Sequence, residues 1–336
     1  MTLIMKTDTK PASIACIGEC MVELTQTDAS GETFGKNNSE SEKLLNVNFA
    51  GDTLNTTVYM ARLLEASDST IHYVTALGED TFSSQMLAAW QQEGIDTRHI
   101  SRLSGKLPGL YSVNVDATGE RNFHYWRSES AARSLFSEAL TDEQIESIAT
   151  ESSLIFLSGI TVAILPYESR KQLIDLLAKA KQNGAKVAFD TNHRPALWKD
   201  ADDARHWYQQ VLNLTDIALL TFDDEQLLFA DQSVEETLQR LEHIPELVIK
   251  RGSEPCIVKS GRDIQSVVAQ QVSTPVDTTG AGDSFNGAYL SSRILGADPV
   301  AACQAGHRLA AEVIMHRGGV MPKAAMPALQ LSEGKL

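Results

Sequence analysis

An aspartate set in a glycine-rich turn is the first place in this 336-residue sequence where reaction chemistry can be read. The run Asp277-Thr278-Thr279-Gly280-Ala281-Gly282-Asp283 is rich in turn formers. A helical pattern follows at once, with Phe285, Ala288, Tyr289 and Ser292 on one face and Gly296 as its stop. Two glycines ahead of a helix let the backbone come close to a ligand, with successive N–H groups facing outward. Those groups sit at the positive end of the helix, so the turn favours an anion, phosphate above all. A carboxylate beside bound phosphate is repelled by it. Asp283 therefore either caps the helix, as Asp commonly does, or accepts the proton of a hydroxyl that attacks phosphorus. The run is not a Walker A loop, because no Gly-Lys-Ser/Thr follows. It is not a dinucleotide fingerprint either, because Phe285 stands at the third glycine.

Five more runs carry polar chemistry. Gly51-Asp52-Thr53-Leu54-Asn55 opens a helix whose face is Leu54, Val58, Ala61 and Leu64. Asp52 and Asn55 can bond vicinal hydroxyls of a sugar, or be an N-cap and an exposed amide. Tyr125-Trp126-Arg127 ends a β-hairpin pattern, so alternation sends Tyr125 and Arg127 to one face and Trp126 to the other. Arg127 can bind a carboxylate bidentately or sit solvated on an edge. Asp190-Thr191-Asn192-His193-Arg194-Pro195 follows a buried strand, and Pro195 blocks a helix directly after it. Arg194 is then at the mouth of a sheet, or paired with Asp190. Thr221-Phe222-Asp223-Asp224 and Lys250-Arg251-Gly252-Ser253 each follow an apolar run.

Those residues need a scaffold. With 43% apolar residues the chain can bury a large core, as one large α/β domain or two smaller ones. A formal charge of −15 argues against nucleic acid and anionic membranes as partners, and requires local Arg or Lys for any anionic ligand. Cys16, Cys20, Cys256 and Cys303 have neither metal nor disulfide spacing and fit buried thiols in a reducing compartment. No apolar run reaches the ~18 residues that span a bilayer, and no signal core is present, so the cytoplasm is expected. Residues 1–10 read as a disordered leader. The eight histidines form no cluster at ligand spacing.

Strands are expected at residues 13–17, 72–76, 154–157, 186–190, 217–220, 247–249 and 256–259. Helices are expected at 80–93, 166–182, 201–212, 224–229 and 233–243, with two long ones at the C-terminal end. Residues 110–115 and 121–126 form a hairpin around 116–120, and the polar run 20–48 holds two short strands of a flap. Strand–helix alternation predicts a mostly parallel sheet covered on both faces, with ligands at the carboxyl ends of its strands. Gly18-Glu19, Asp190, Asn192, Thr221 and Lys250 fall there.

The run from Asp277 to Asp283 resembles the second signature, D-T-x-G-A-G-D, of the ribokinase-like (PfkB) carbohydrate kinases. Gly51-Asp52-Thr53-Leu54-Asn55 is similar to the first, G-G-D-x-x-N, with Ala50 at the first glycine. The resemblance runs in order from residue 17 to about residue 319. Gly18-Glu19, Tyr125-Trp126-Arg127 with Ser130-Ala131-Ala132, and Asp190-Thr191-Asn192-His193-Arg194-Pro195-Ala196-Leu197-Trp198 resemble one branch, the 2-keto-3-deoxygluconate kinases.

What the resemblance implies is specific. The fold would be a ribokinase-like three-layer α/β/α domain, residues 1–336, with a mostly parallel central sheet and a small β-sheet lid from about 23–48 and 107–125. The reaction would be ATP-dependent phosphorylation of 2-keto-3-deoxygluconate at O6, giving the 6-phospho sugar acid. The alternative is a kinase of the same fold for fructose or ribose, which need no arginine pair. A catalytically silent sugar- or nucleotide-binding regulator is the rival from another class. Asp283 would be the base, with Gly280, Ala281 and Gly282 as the anion hole. Substrate would meet Gly51, Asp52, Thr53, Leu54, Asn55, Tyr111, Tyr125, Trp126, Arg127 and Arg194. ATP would meet Asn192, Arg194, Thr221, Lys250, Arg251, Gly252, Ser253, Glu254, Pro255 and the 280–283 turn. Mg²⁺ would be held by ATP oxygens and water, with Asp224 reaching it through water. Thr221 and Asp224 take the place of the family's Asn-x-x-Glu. The helix N-terminus is expected to depress the pKa of Asp283. Open lid edges suggest a homodimer or higher homo-oligomer.

Overall fold

Period-two alternation in short apolar runs decides the architecture. The computed structural model describes residues 11–27, 44–115 and 121–328. Its first seven strands are β1 (Ser13–Ile17), β2 (Met21–Thr27), β3 (Leu44–Ala50), β4 (Thr70–Leu77), β5 (Ile100–Arg102), β6 (Gly109–Val115) and β7 (Arg121–Trp126). The remaining six are β8 (Leu154–Ser158), β9 (Lys186–Asp190), β10 (Ile217–Thr221), β11 (Glu246–Arg251), β12 (Glu254–Ser260) and β13 (Asp263–Val267). Nine of them form one sheet in the order β13-β12-β11-β10-β9-β8-β1-β4-β5. From β11 to β5 every pairing is parallel, and β12 and β13 extend the sheet antiparallel.

Each central strand feeds two cores. β1 sends Ala15 and Ile17 to one and Ile14 and Cys16 to the other; β8 divides Ile155 and Leu157 from Leu154 and Phe156 in the same way. A sheet apolar on both faces must be covered on both. Helices Asp142–Glu151, Tyr167–Gln182 and Ala201–Leu212 cover one face. Helices Asp52–Leu63, Thr81–Gln92, Ala281–Ile294 and Pro299–Val313 cover the other. The three-layer α/β/α arrangement is therefore as the sequence led us to expect.

A second sheet has the order β3-β2-β6-β7. Its register puts Glu23 opposite both Asn48 and Tyr111, and Tyr111 opposite Tyr125, so these share a face. Val22, Phe49, Leu110 and Trp126 line the other.

Several details go beyond the sequence reading. β5 is three residues long, and β13 is an exposed edge strand with little apolar content; neither announces itself. The helices Asp142–Glu151 and Gly159–Ile164 were also not anticipated. Pro195 does keep Arg194 extended, but it then starts a short 3₁₀ turn, Pro195–Leu197. The expected leader at 1–10, the middle of the flap at 28–43 and the hairpin turn at 116–120 lie outside the described residues. All four cysteines are buried and free.

One buried ion pair fixes the helix Ala281–Ile294 against the sheet. Glu246, at the start of β11, is fully buried. It accepts from the Tyr289 hydroxyl at 2.6 Å and from Arg293 Nε and Nη2, both at 2.9 Å. Removing one partner of such a pair strands a buried charge. We expect Glu246→Ala to lower unfolding stability by about 3–5 kcal/mol, read as a fall in urea midpoint at unchanged slope. A loss under about 1 kcal/mol would show that the pair is not what holds the helix.

Candidate active site

The two glycine-led turns converge on one point. Gly280 has φ 74°, in the left-handed region, and a Cβ there would lie 2.5 Å from the Gly319 carbonyl oxygen. A Cβ on Gly319 would in turn lie 2.5 Å from Asn55 Nδ2. Missing side chains at these two positions let the N-terminus of the helix Ala281–Ile294 close on that of Asp52–Leu63. Across the gap Asn55 Nδ2 donates to Asp283 Oδ2 at 2.8 Å, and Thr56 Oγ1 donates to the Asp283 carbonyl at 3.1 Å. Asn55 is therefore buried rather than exposed. Asp283 is the third residue of its helix, and Gly280 occupies the cap position.

Asp52 opens the facing helix. Gly51 before it has no room for a side chain, since a Cβ would lie 2.2 Å from the Glu19 carbonyl oxygen. Asp52 Oδ2 accepts from Asn192 Nδ2 at 2.8 Å, and its carboxylate is also bonded by Ser158. Asn192 reaches it from a left-handed backbone, φ 30°. Thr53 and Leu54 turn inward instead: the Thr53 hydroxyl is 3.1 Å from that of Tyr73, and Leu54 lies in the core.

The carboxyl ends of β9 and β11 supply the next ring. Lys250 Nζ donates to Asn286 Oδ1 at 3.0 Å and to Asp190 Oδ1 at 3.5 Å, while Asn286 Nδ2 donates to Asp190 Oδ2 at 2.7 Å. A Cβ built on Gly282 would have Lys250 Nζ as its nearest neighbour, at 3.8 Å. The cationic head thus sits beside the amide turn. Within that turn the Ala281 amide points at the Thr278 carbonyl, 3.3 Å away. Gly282 and Asp283 then carry the first-turn amides that lack an acceptor inside the helix.

The second sheet brings its own polar groups. Arg127 Nη2 and the Ser130 hydroxyl both donate to Glu19, which is buried, and the Tyr111 hydroxyl donates to Glu23. Arg127 Nε is buried without an acceptor among the described residues, and the guanidinium carbon lies 6.0 Å from the centre of the Tyr125 ring. Trp126 is exposed on the opposite face.

The remaining expected residues line one edge. Arg194 is more than half exposed and 3.9 Å from Asp224, not paired with Asp190. Asp224 also accepts the His193 amide at 3.0 Å. Thr221 caps the helix Phe222–Phe229 without a side-chain bond. Gly252 and Ser253 form the turn between β11 and β12, with Gly252 at φ 60°. Arg251 is held there by the Pro255 carbonyl at 2.9 Å and by Glu254 at 3.0 Å. Among the described residues no three His, Cys, Asp or Glu side chains are gathered to hold a metal.

Sequence reasoning missed Asn286 and Gly319 altogether. Asn286 hides within a helical pattern; the available signal was a polar residue between Phe285 and Tyr289 on the buried face. Gly319 is one of a pair, Gly318-Gly319, whose partner in space is far away in the chain.

The expected depression of the Asp283 pKa is overturned. It is pushed up to about 8, by burial first, then by the charges of Asp52 and Asp190; the Asn55 hydrogen bond and Lys250 pull the other way. Burial also raises Asp52 and Asp224. Crowding of carboxyls in a cleft with little water outweighs the helix end.

Comparison with known proteins gives the family and the fold. The model of the pfkB family carbohydrate kinases matches residues 11–325. A 2-dehydro-3-deoxygluconokinase of Dickeya dadantii (strain 3937) is 44% identical over 321 residues, 94% of this chain and 99% of that protein. One of Escherichia coli (strain K12) is 43% identical over 323 residues, with the same coverage. The crystal structure of a ribokinase II candidate from E. coli in complex with ATP and Mg²⁺ superposes with a TM-score of 0.79 at 23% identity. That match covers 92% of this chain and 94% of the other, and shows the fold.

The raised pKa of Asp283 makes a stability prediction. Its folded value, about 8, lies above its ordinary 3.8, so the folded state holds a proton the unfolded chain has lost between those values; the cost of the buried carboxyl grows as pH rises from 3.8 to about 8, is complete above that, and vanishes below 3.8. Asp283→Asn is expected to raise the thermal midpoint by an amount that grows from pH 5 to pH 8 and then levels off. A difference independent of pH would mean that Asp283 is not the group under strain.

Proposed function

The chain belongs to the pfkB family of carbohydrate kinases, and from that premise we propose that it transfers the γ-phosphoryl group of ATP to O6 of 2-keto-3-deoxygluconate. The observation that carries the reading is the Asp283 carboxyl, held by Asn55 at a helix N-terminus with the Lys250 ammonium beside it. In the reaction the O6–H proton passes to the Asp283 carboxylate, an O6–P bond forms, the bond from phosphorus to the bridging oxygen breaks, and ADP leaves. A base is most useful with a pKa near working pH, and a value of about 8 meets that condition.

The other residues orient and balance charge. The amides of Gly282 and Asp283 and the Lys250 ammonium face the phosphoryl oxygens, where fixed donors stabilise developing charge. Mg²⁺ would neutralise the phosphates from a shell of phosphate oxygens and water, with Asp224 reachable through water. Asp52 and Asn55 hold sugar hydroxyls. Arg127 and Arg194 meet the sugar carboxylate; the Nε–H of Arg127, which has no acceptor among the described residues, is a donor for it. Tyr111 gives its own proton to Glu23, so it offers an oxygen that accepts. The second sheet acts as the lid, its Tyr111–Tyr125 face toward substrate, closing to exclude water.

Two coarser proposals go with this. The outer lid face exposes Leu45, Val47 and Trp126, and a homodimer through that face would cover them. Buried free thiols suit the cytoplasm; no helix among the described residues is long and apolar enough to cross a membrane.

Coupled ADP-release assays with 2-keto-3-deoxygluconate, its C4 epimer, fructose and ribose test the substrate. Turnover of fructose or ribose above the sugar acids would refute the reading. Asp283→Asn should lower kcat by about 10²–10⁴-fold; near-normal turnover would remove the base. kcat/KM should fall below an acid limb near pH 8, because the base must be ionised, and Asp52→Asn should move that limb to lower pH. Arg127→Ala should raise KM for the sugar acid far more than for fructose or ribose; an equal effect would show that it does not read the carboxylate.

A further inference from the structure

Lys250 carries a flexible four-carbon stem, yet its ammonium has a defined position. Lysine donors are rotatable and costly to immobilise, so something must hold this one. Two groups do, and each is itself held. Asp190 is buried and spends one carboxylate oxygen on Lys250 and the other on Asn286. Asn286 is fully buried, and its Nδ2 bond to Asp190 at 2.7 Å leaves its Oδ1 turned to Lys250 at 3.0 Å. The triangle is closed, and the ammonium side that remains faces the Gly282 turn.

The frame around the triangle is rigid for a reason legible in spacing. Lys250 and Glu246 are four residues apart on β11, so they share a face of the strand. Asn286, Tyr289 and Arg293 share a face of the helix Ala281–Ile294. Glu246 clamps Tyr289 and Arg293, which stops the helix sliding along the strand and so fixes where Asn286 meets Lys250.

We propose that Asp190 and Asn286 are positioning residues that hold the Lys250 ammonium at the mouth of the Gly280–Asp283 turn, where it meets the phosphoryl group in transfer. This rests on the kinase reading above. The competing account is that Asp190 and Asn286 only neutralise a buried lysine, with no consequence for turnover beyond stability. The two differ in what happens once the lysine is gone.

The test is a double-mutant cycle on the full chain, with kcat, both KM values, thermal midpoint and pH profile for each variant. Lys250→Met should lower kcat about 100-fold, the scale of one lost fixed donor. Asp190→Asn and Asn286→Ala should each lower kcat about tenfold, with the sugar-acid KM nearly unchanged. In the Lys250→Met background both should add almost nothing, because they act through the same ammonium. The pH profile gives a second readout. Asp283 is faced by Asp52 and Tyr59 from one helix, by Asp190 from β9 and by Lys250 from β11. Asp190→Asn should shift the acid limb of kcat/KM to lower pH and Lys250→Met to higher pH through their own charges on Asp283, so the kcat values of the cycle are compared at a pH above every variant's limb. Additive losses of kcat, with Asp190→Asn and Asn286→Ala each still costing about tenfold in the Lys250→Met background, would overturn the proposal. If Asp190→Asn does not fold, Asn286→Ala runs the same cycle with no charge removed. Absence of ADP release by the unmodified protein with every sugar would sink the kinase reading instead.

Discussion

Asn55 and Asp283 stand 228 positions apart in the chain and 2.8 Å apart in space, and much of the molecule exists to keep them so. The contact requires two helix N-termini to approach closer than side chains allow. It is permitted by the glycines at 280 and 319, whose backbones meet where any Cβ would collide. Two positive helix ends facing each other are unfavourable alone. Carboxylates from Asp52 and Asp283 fill the space between them, and the amides of Asn55 and Asn192 tie those carboxylates down.

That solution concentrates negative charge. The charges of Asp52 and Asp190 raise the proton affinity of Asp283, that of Asp190 also raises Asp52, and Lys250 offsets only part of the effect on Asp283. A cleft of this kind works against folding and is tolerated because other parts of the domain oversupply stability. The two apolar cores on either face of the sheet and the Glu246 clamp do so. The stored unfavourable charge leaves in the cleft a carboxyl that takes up a proton near neutral pH.

The small sheet follows a related logic. In a chain of net charge −15, an arginine has many carboxylates it could pair with, and here its partner is specific. Glu19 takes one edge of the Arg127 guanidinium and leaves Nε without an acceptor among the described residues, and Glu23 accepts the Tyr111 hydroxyl and leaves the phenol oxygen as an acceptor. Acidic residues set the direction of these groups, and glycine at 109 lets them pack, since a Cβ there would press on Glu19 and Arg127.

Much of this was present in the order of residues. Uninterrupted apolar runs such as 154–157 and 217–220 determined a sheet buried on both faces, because successive side chains of an extended backbone point to opposite sides. The turn at 280–283, the acid inside it and the helix after it were equally legible, since glycine freedom and helix spacing are local. The pKa of Asp283 was not: a helix end is visible in sequence, but burial, and the charges of Asp52 from another helix and Asp190 from a strand, reverse its effect. Nor were the partners of Lys250, the burial of Asn55 or the pairing of Arg127 with Glu19. Each depends on which distant segments the topology lays side by side, and the distance between them is decided only when the two cores close.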